Sequence, residues 1–171
     1  MQTIAIILLS VAAAIFYGIV HDQITARICV EYFTIGHPQL IDSDSPAVLA
    51  LVWGVVATWW VGLPLGIGLA VAARFGSRPK LRVYDLIRPL LVLLGCMFVL
   101  AALAGLVGFT TSKMGAFHLV EPLASRIPKD KHIAFLVDGW AHTASYLAGL
   151  MGGIVLWIVT WRRRKDCATL A

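Results

Sequence analysis

Four stretches of the chain contain no Asp, Glu, Lys, Arg or His: Thr3 to Val20, Ser45 to Ala73, Pro89 to Ser112 and Thr143 to Trp161. Crossing about 30 Å of hydrocarbon takes roughly 20 apolar helical residues, and these stretches are of that order. Apolar residues run through them without the strict alternation of barrel strands. Because backbone groups in lipid must be satisfied within their own segment, the spans are predicted to be helices. The pattern therefore predicts an all-α fold, an integral membrane four-helix bundle in a single domain over residues 1–171. Its four transmembrane helices are expected at about 3–20, 46–73, 89–111 and 139–161, with longer polar connections over 21–45 and 112–138.

Composition agrees: 60% of the 171 residues are hydrophobic and 13% are charged, outside the usual range of a soluble domain. Such a chain is too apolar to be disordered, and no fixed repeat marks a collagen, coiled coil or solenoid. Met1 to Gly18 lacks the positively charged start of a secretory signal and is read as the first span.

Charge adds orientation. Nine of the 14 basic residues flank one side: Arg74, Arg78, Lys80, Arg82, Arg88, Arg162, Arg163, Arg164 and Lys165. Arg27, Lys113, Arg126, Lys129 and Lys131 lie in the longer connections. With Asp85 and Asp166 the first side carries 9 − 2 = +7; the seven remaining acids leave the other at 5 − 7 = −2. The positive-inside rule then places both N and C termini in the cytoplasm and 21–45 and 112–138 outside. The net charge of +5 thus reports orientation and attraction to anionic lipid, not a nucleic-acid partner. The expected setting is a multi-pass protein of the cytoplasmic membrane, with the bilayer, a membrane protein or a second copy as partner.

Small residues four apart, at Gly62 and Gly66, Ala104 and Gly108, and Gly149 and Gly153, predict close helix contacts. Pro64 is expected to kink the second span, and several of the six tryptophans suit an interfacial belt. Cys29, Cys96 and Cys167 form no C-x-x-C and suggest no disulfide.

All five histidines fall on the predicted external side, in two informative groups. From Tyr17 to Phe33 the first span continues without proline, although Gly18 is a candidate helix end. Helical spacing puts Tyr17, His21, Thr25 and Ile28 on one stripe, Asp22, Ala26, Cys29 and Phe33 on a second, and Gln23, Arg27 and Glu31 on a third, where Arg27 can pair with Glu31. In the second group Asp138 and His142 share a face, with Ser145 and Tyr146 a turn further on. Ionisable groups in a membrane segment are costly and mark functional sites.

His21, Asp138 and His142 are accordingly predicted to bind a divalent metal, zinc or iron, across the bundle. Asp22 or Glu31 would complete the set or act as catalytic base on metal-bound water, giving hydrolytic chemistry. Asp22, Glu31, Glu121 and Asp138 together would suit a di-iron oxidant instead. Neither H-E-x-x-H nor E-x-x-H occurs, so the set rests on separated residues. Two alternatives stand beside it: a haem held by His21 and His142 for electron transfer, and a non-enzymatic subunit whose polar cluster fixes helix register. His37 reads as a loop residue before Pro38, and Asp42 to Pro46 as a helix cap. His118 and Glu121 are second-rank ligands, and Pro128 to His132 reads as a charged turn facing water.

Overall fold

The computed structural model describes the backbone of residues 1–169 and side chains as far as Arg164. The side chains of Lys165, Asp166 and Cys167, which entered the charge and thiol readings, lie outside the described residues.

Helices are the only regular structure among the described residues: α1 (Gln2–Ile28), α2 (Val30–Thr34), α3 (Pro46–Val56), α4 (Trp59–Arg74), α5 (Tyr84–Lys113), α6 (Leu123–Arg126) and α7 (His132–Thr169). Four helical segments, Gln2–Ile28, Pro46–Arg74, Tyr84–Lys113 and Lys129–Arg164, are long and apolar enough to cross a membrane. Large side chains such as Leu8, Phe16, Trp60, Leu91, Leu103 and Leu147 are exposed around the outside. Lipid tails are as apolar as leucine, so such a surface is stable in a bilayer.

Nothing in the sequence stops α1 at the end of its apolar stretch, and it runs about two turns further. It ends where Cys29 turns extended (φ −147°, ψ 98°), after which α2 resumes. Ser45 caps α3 with Pro46 at the first helical position, where a missing N–H costs nothing. The Ser45 side chain makes no capping bond; its backbone N–H instead donates to Ser43 Oγ at 3.2 Å. The second span is interrupted at Ala57 and Thr58, upstream of Pro64, around which α4 is continuous. Thr58 Oγ1 donates back to the Gly54 carbonyl at 2.5 Å, competing with the helical ladder there.

Packing divides the bundle into α1 with α3 and α4, and α5 with α7; α4 and α7 join the halves, while α1 and α7 touch little. Small residues set these distances. A Cβ on Gly62 would lie 2.7 Å from Ala14 Cβ, and one on Gly66 2.7 Å from Ser10 Cβ. Gly153 admits Leu65 and Gly108 the Trp140 ring. Gly18 does not end α1: it lies against Gly54 of α3, where a Cβ on Gly18 would come within 2.6 Å of the Gly54 carbonyl oxygen. Helix-breaking is outweighed there by the close approach that glycine permits. At the arginine-rich end Ile6, Leu69, Ala73, Leu86, Leu90 and Leu156 form a buried core. At the other end Phe33 of α2 packs on Ala26, Leu49 and Ala50, while Cys29 meets Ile127 and Phe135.

Candidate functional site

The extension of α1 carries His21 and Asp22 inward, where they are 6% and 5% exposed, and α7 brings His142 across to them. The rings of His21 and His142 lie edge to face with centroids 4.6 Å apart, leaving no slot for a macrocycle between them. His142 Nδ1 lies 2.8 Å from the backbone carbonyl of Asp138, one turn back, and donates its proton there. His142 Nε2 is 3.2 Å from Asp22 Oδ1. With the Nδ1 proton so used, this contact joins two acceptors unless a second proton or a cation sits between them. His21 Nε2 has no hydrogen-bond partner. Ligand atoms of His21, Asp22 and His142 all lie within 4.8 Å of one another.

Aromatic rings enclose this group. Tyr32 stacks on His142 with centroids 4.6 Å apart, and Phe33 meets it edge-on at 5.8 Å. His37 is in a loop, as expected, but it forms a roof: its Nδ1 bonds the Tyr32 carbonyl at 2.7 Å and its ring packs on Trp53 at 4.8 Å. One turn deeper the Tyr17 and Ser145 hydroxyls are 2.7 Å apart. The helical stripes foreshadow Tyr17 and Ser145. Nothing in them points to Tyr32, because the break at Cys29 resets the helical phase before it.

Asp22, not Asp138, is the carboxylate placed with the two histidines. Asp138 is fully buried on α7, and neither of its carboxylate oxygens meets a donor. Burial pushes the neighbouring Cys29 thiol up to about 12, with smaller effects from Glu31 and Asp138. Burial likewise raises the Tyr32 hydroxyl, and the Asp138 charge adds to it. Neither group is a ready nucleophile at neutral pH.

Glu31 stands apart from the cluster. It accepts from Cys29 Sγ at 3.4 Å and lies 4.0 Å from Lys131 Nζ. The expected Arg27–Glu31 pair does not form; Arg27 bonds Gln23 Oε1 at 2.6 Å and the Gln23 carbonyl instead. The extended residue Cys29 breaks the four-residue spacing on which that pair depended. His118 and Glu121 are exposed in the α5–α7 connection, where Glu121 Oε2 accepts from the Ser125 N–H at 3.2 Å. His132 Nε2 lies 3.0 Å from the Ile127 carbonyl, away from the cluster.

The polar group heads a cavity of about 130 Å³ that descends between the two halves of the bundle to Leu69, Leu90 and Leu156. No protein-family model, curated protein or solved structure matches the chain.

Proposed function

We propose that the chain is a multi-pass protein of the cytoplasmic membrane that holds a divalent cation, zinc or iron, between His21, Asp22 and His142. There it supports hydrolytic or redox chemistry on a lipid-soluble substrate. The observation that carries this reading is the approach of His142 Nε2 to Asp22 Oδ1 beside the unpartnered His21 Nε2, with His142 Nδ1 tied to a backbone carbonyl. A ligating histidine typically donates its other N–H to such a carbonyl, which fixes the tautomer and aims the lone pair. Two nitrogens and one carboxylate oxygen with an open fourth position form a common catalytic zinc set. Ligands of a tetrahedral zinc stand about 3.4 Å apart, so the Asp22–His142 pair at 3.2 Å already has that spacing and the His21 side chain would move in to complete the set. A bound water would be acidified toward neutrality and made nucleophilic.

Metal analysis of protein purified without a histidine tag tests this. About one zinc or iron per chain is expected in wild type, with loss in both His21→Ala and His142→Ala. Wild type that stays empty after equilibration with zinc or ferrous iron would leave Asp22–His142 as an ion pair, and the protein as a structural subunit.

Orientation is the second element of the proposal: the termini inside, the histidine end outside. Reporter fusions at Gly76 and Ile127 are expected to read cytoplasmic and external respectively. If both read the same side, the site does not face the exterior as proposed.

A further inference from the structure

The cavity below the polar cluster is long for its volume. It is lined along α7 from His142 to Trp157, a rise of about 22 Å at 1.5 Å per residue. That covers most of a hydrocarbon layer of about 30 Å. A space of about 130 Å³ drawn out over such a length is narrow. Such a space suits one extended chain better than paired chains or a fused ring system.

The lining also fixes the charge of the head. Beneath the polar end the walls are Ala, Gly, Val, Leu, Met and Trp157, whose Nε1 donates to the Leu65 carbonyl, with Ser10 and the Gly54-bonded Thr58 as the hydroxyl interruptions. Ser10 is satisfied by the Ile6 carbonyl at 2.9 Å. No lysine or arginine lines the cavity, and Asp22 together with a metal-bound hydroxide would already balance the divalent cation, so a phosphate or carboxylate head would be buried without a counter-charge. Asp22 is the carboxylate in the wall, and it already faces His142. An amine head would have to compete for it. A neutral oxygen-bearing head meets neither penalty. With His21 Nε2 committed to the cation, the Tyr17–Ser145 hydroxyl pair offers it hydrogen bonds at the top of the cavity, next to His21.

A second space, open to the bilayer, lies on the other face of His21. It has about 640 Å³, lies between α1, α5 and α7 and shares His21 as a wall. Its apolar lining includes Ile24, Phe98, Leu106 and Phe109, all exposed on the outside of the bundle. His21 is therefore a wall common to the lipid-facing space and the cavity below the cluster.

We propose that the cavity binds one neutral single-chain lipid, with its ester, alcohol or quinone oxygen at His21 and its tail between Leu69, Leu90 and Leu156. This names the substrate class of the His21, Asp22 and His142 site and rests on reading that cluster as a working site.

The test uses the full chain in phosphatidylcholine vesicles with hexadecanol carrying a chain diazirine, and with hexadecanoic acid and hexadecylamine carrying the same group. Photolabelling by the alcohol is expected at cavity residues such as Leu65, Leu93 and Met97. The acid and the amine should label them about tenfold less, the consequence of roughly 1.4 kcal/mol. Excess ethyl palmitate or a decyl benzoquinone should displace the label, and the better competitor identifies an acyl or a quinoid source. Ala13→Phe, which fills the cavity wall, should reduce labelling by a similar factor; displacement in wild type is independent of how that variant folds. Labelling confined to outward residues such as Leu8 and Val92, no displacement by either competitor, or equal labelling by the acid would each overturn the proposal. Metal is measured in the same vesicles. Metal without displaceable labelling sinks the lipid and spares the metal site, whereas displaceable labelling without metal does the reverse.

Discussion

Leucine in place of Gly54 is expected to destabilise the protein by about 3 kcal/mol or more and to abolish metal binding at the proposed site at the same time. A Cβ on Gly54 would lie 2.5 Å from Ile19 N and 2.6 Å from Ile19 Cα. Both are backbone atoms of α1, so no side-chain rotation relieves the clash and the helices must move apart. The facing glycine has the same constraint, since a Cβ on Gly18 would meet the Gly54 carbonyl oxygen. His21 and Asp22 lie within one turn or so of Gly18 on the same helix. Pushing α1 off α3 therefore displaces both from His142, whose contact with Asp22 is only 3.2 Å. Gly95 supplies the control, because a Cβ there meets nothing within 4 Å and the position is exposed. Thermal unfolding and metal content should fall together in Gly54→Leu and remain as in wild type in Gly95→Leu. A Gly54→Leu protein with wild-type stability would show that the α1–α3 approach is not what holds the site in register.

The four spans were readable because lipid imposes one simple demand, a long run of apolar helix, and the sequence meets it four times. What interrupts a span was less readable. Pro64 draws attention as a helix breaker, yet the break lies at Ala57 and Thr58, where a threonine hydroxyl finds the Gly54 carbonyl. The Gly18–Gly54 contact had a signal of the same kind as the recognised pairs: Ala14 precedes Gly18 by four residues, and Ala50 precedes Gly54 by four. Weighing Gly18 as a helix end hid it.

At the site, the juxtaposition of His21 with His142 follows from placing both at one end of the bundle. The choice between Asp22 and Asp138 does not. Asp138 shares a helical face with His142, and that spacing suggested two side chains acting together. Instead the backbone carbonyl of Asp138 accepts from His142 Nδ1, as helical geometry equally allows, while its carboxylate is buried without a donor. Which carboxylate reaches the histidines depends on how α1 is rotated against α7. That rotation is fixed by the packing of α1 on α3 and α4, partners distant from it in sequence.

The other large effect is expected at the opposite end, where Arg164→Ala should cost about 3 kcal/mol. In the sequence Arg164 is one of several orienting charges. In the fold it is completely buried. Its Nε donates to the Pro79 carbonyl at 2.7 Å, Nη1 to Ala72 at 2.8 Å, and Nη2 to Phe75 at 3.0 Å and Arg78 at 2.9 Å. These acceptors lie at the C-terminal end of α4 and in the connection to α5, where helix carbonyls lack partners of their own. A cation also complements the negative end of the helix dipole. Arg78 adds a second tie, its guanidinium 4.3 Å from the Trp161 ring and its Nη1 3.2 Å from the Trp161 carbonyl. Alanine at 164 removes all four donations and leaves several carbonyls to find water. Lysine keeps the charge but cannot reproduce a planar fork across four acceptors, so Arg164→Lys should recover only part of the loss. Arg163 is exposed, and Arg163→Ala removes the same orienting charge while changing stability by about 0.5 kcal/mol or less. Denaturant unfolding of the three variants separates the two roles. Equal losses in Arg163→Ala and Arg164→Ala would reduce Arg164 to a topological charge, whereas a loss confined to residue 164 makes it the clasp between α7 and the α4–α5 turn.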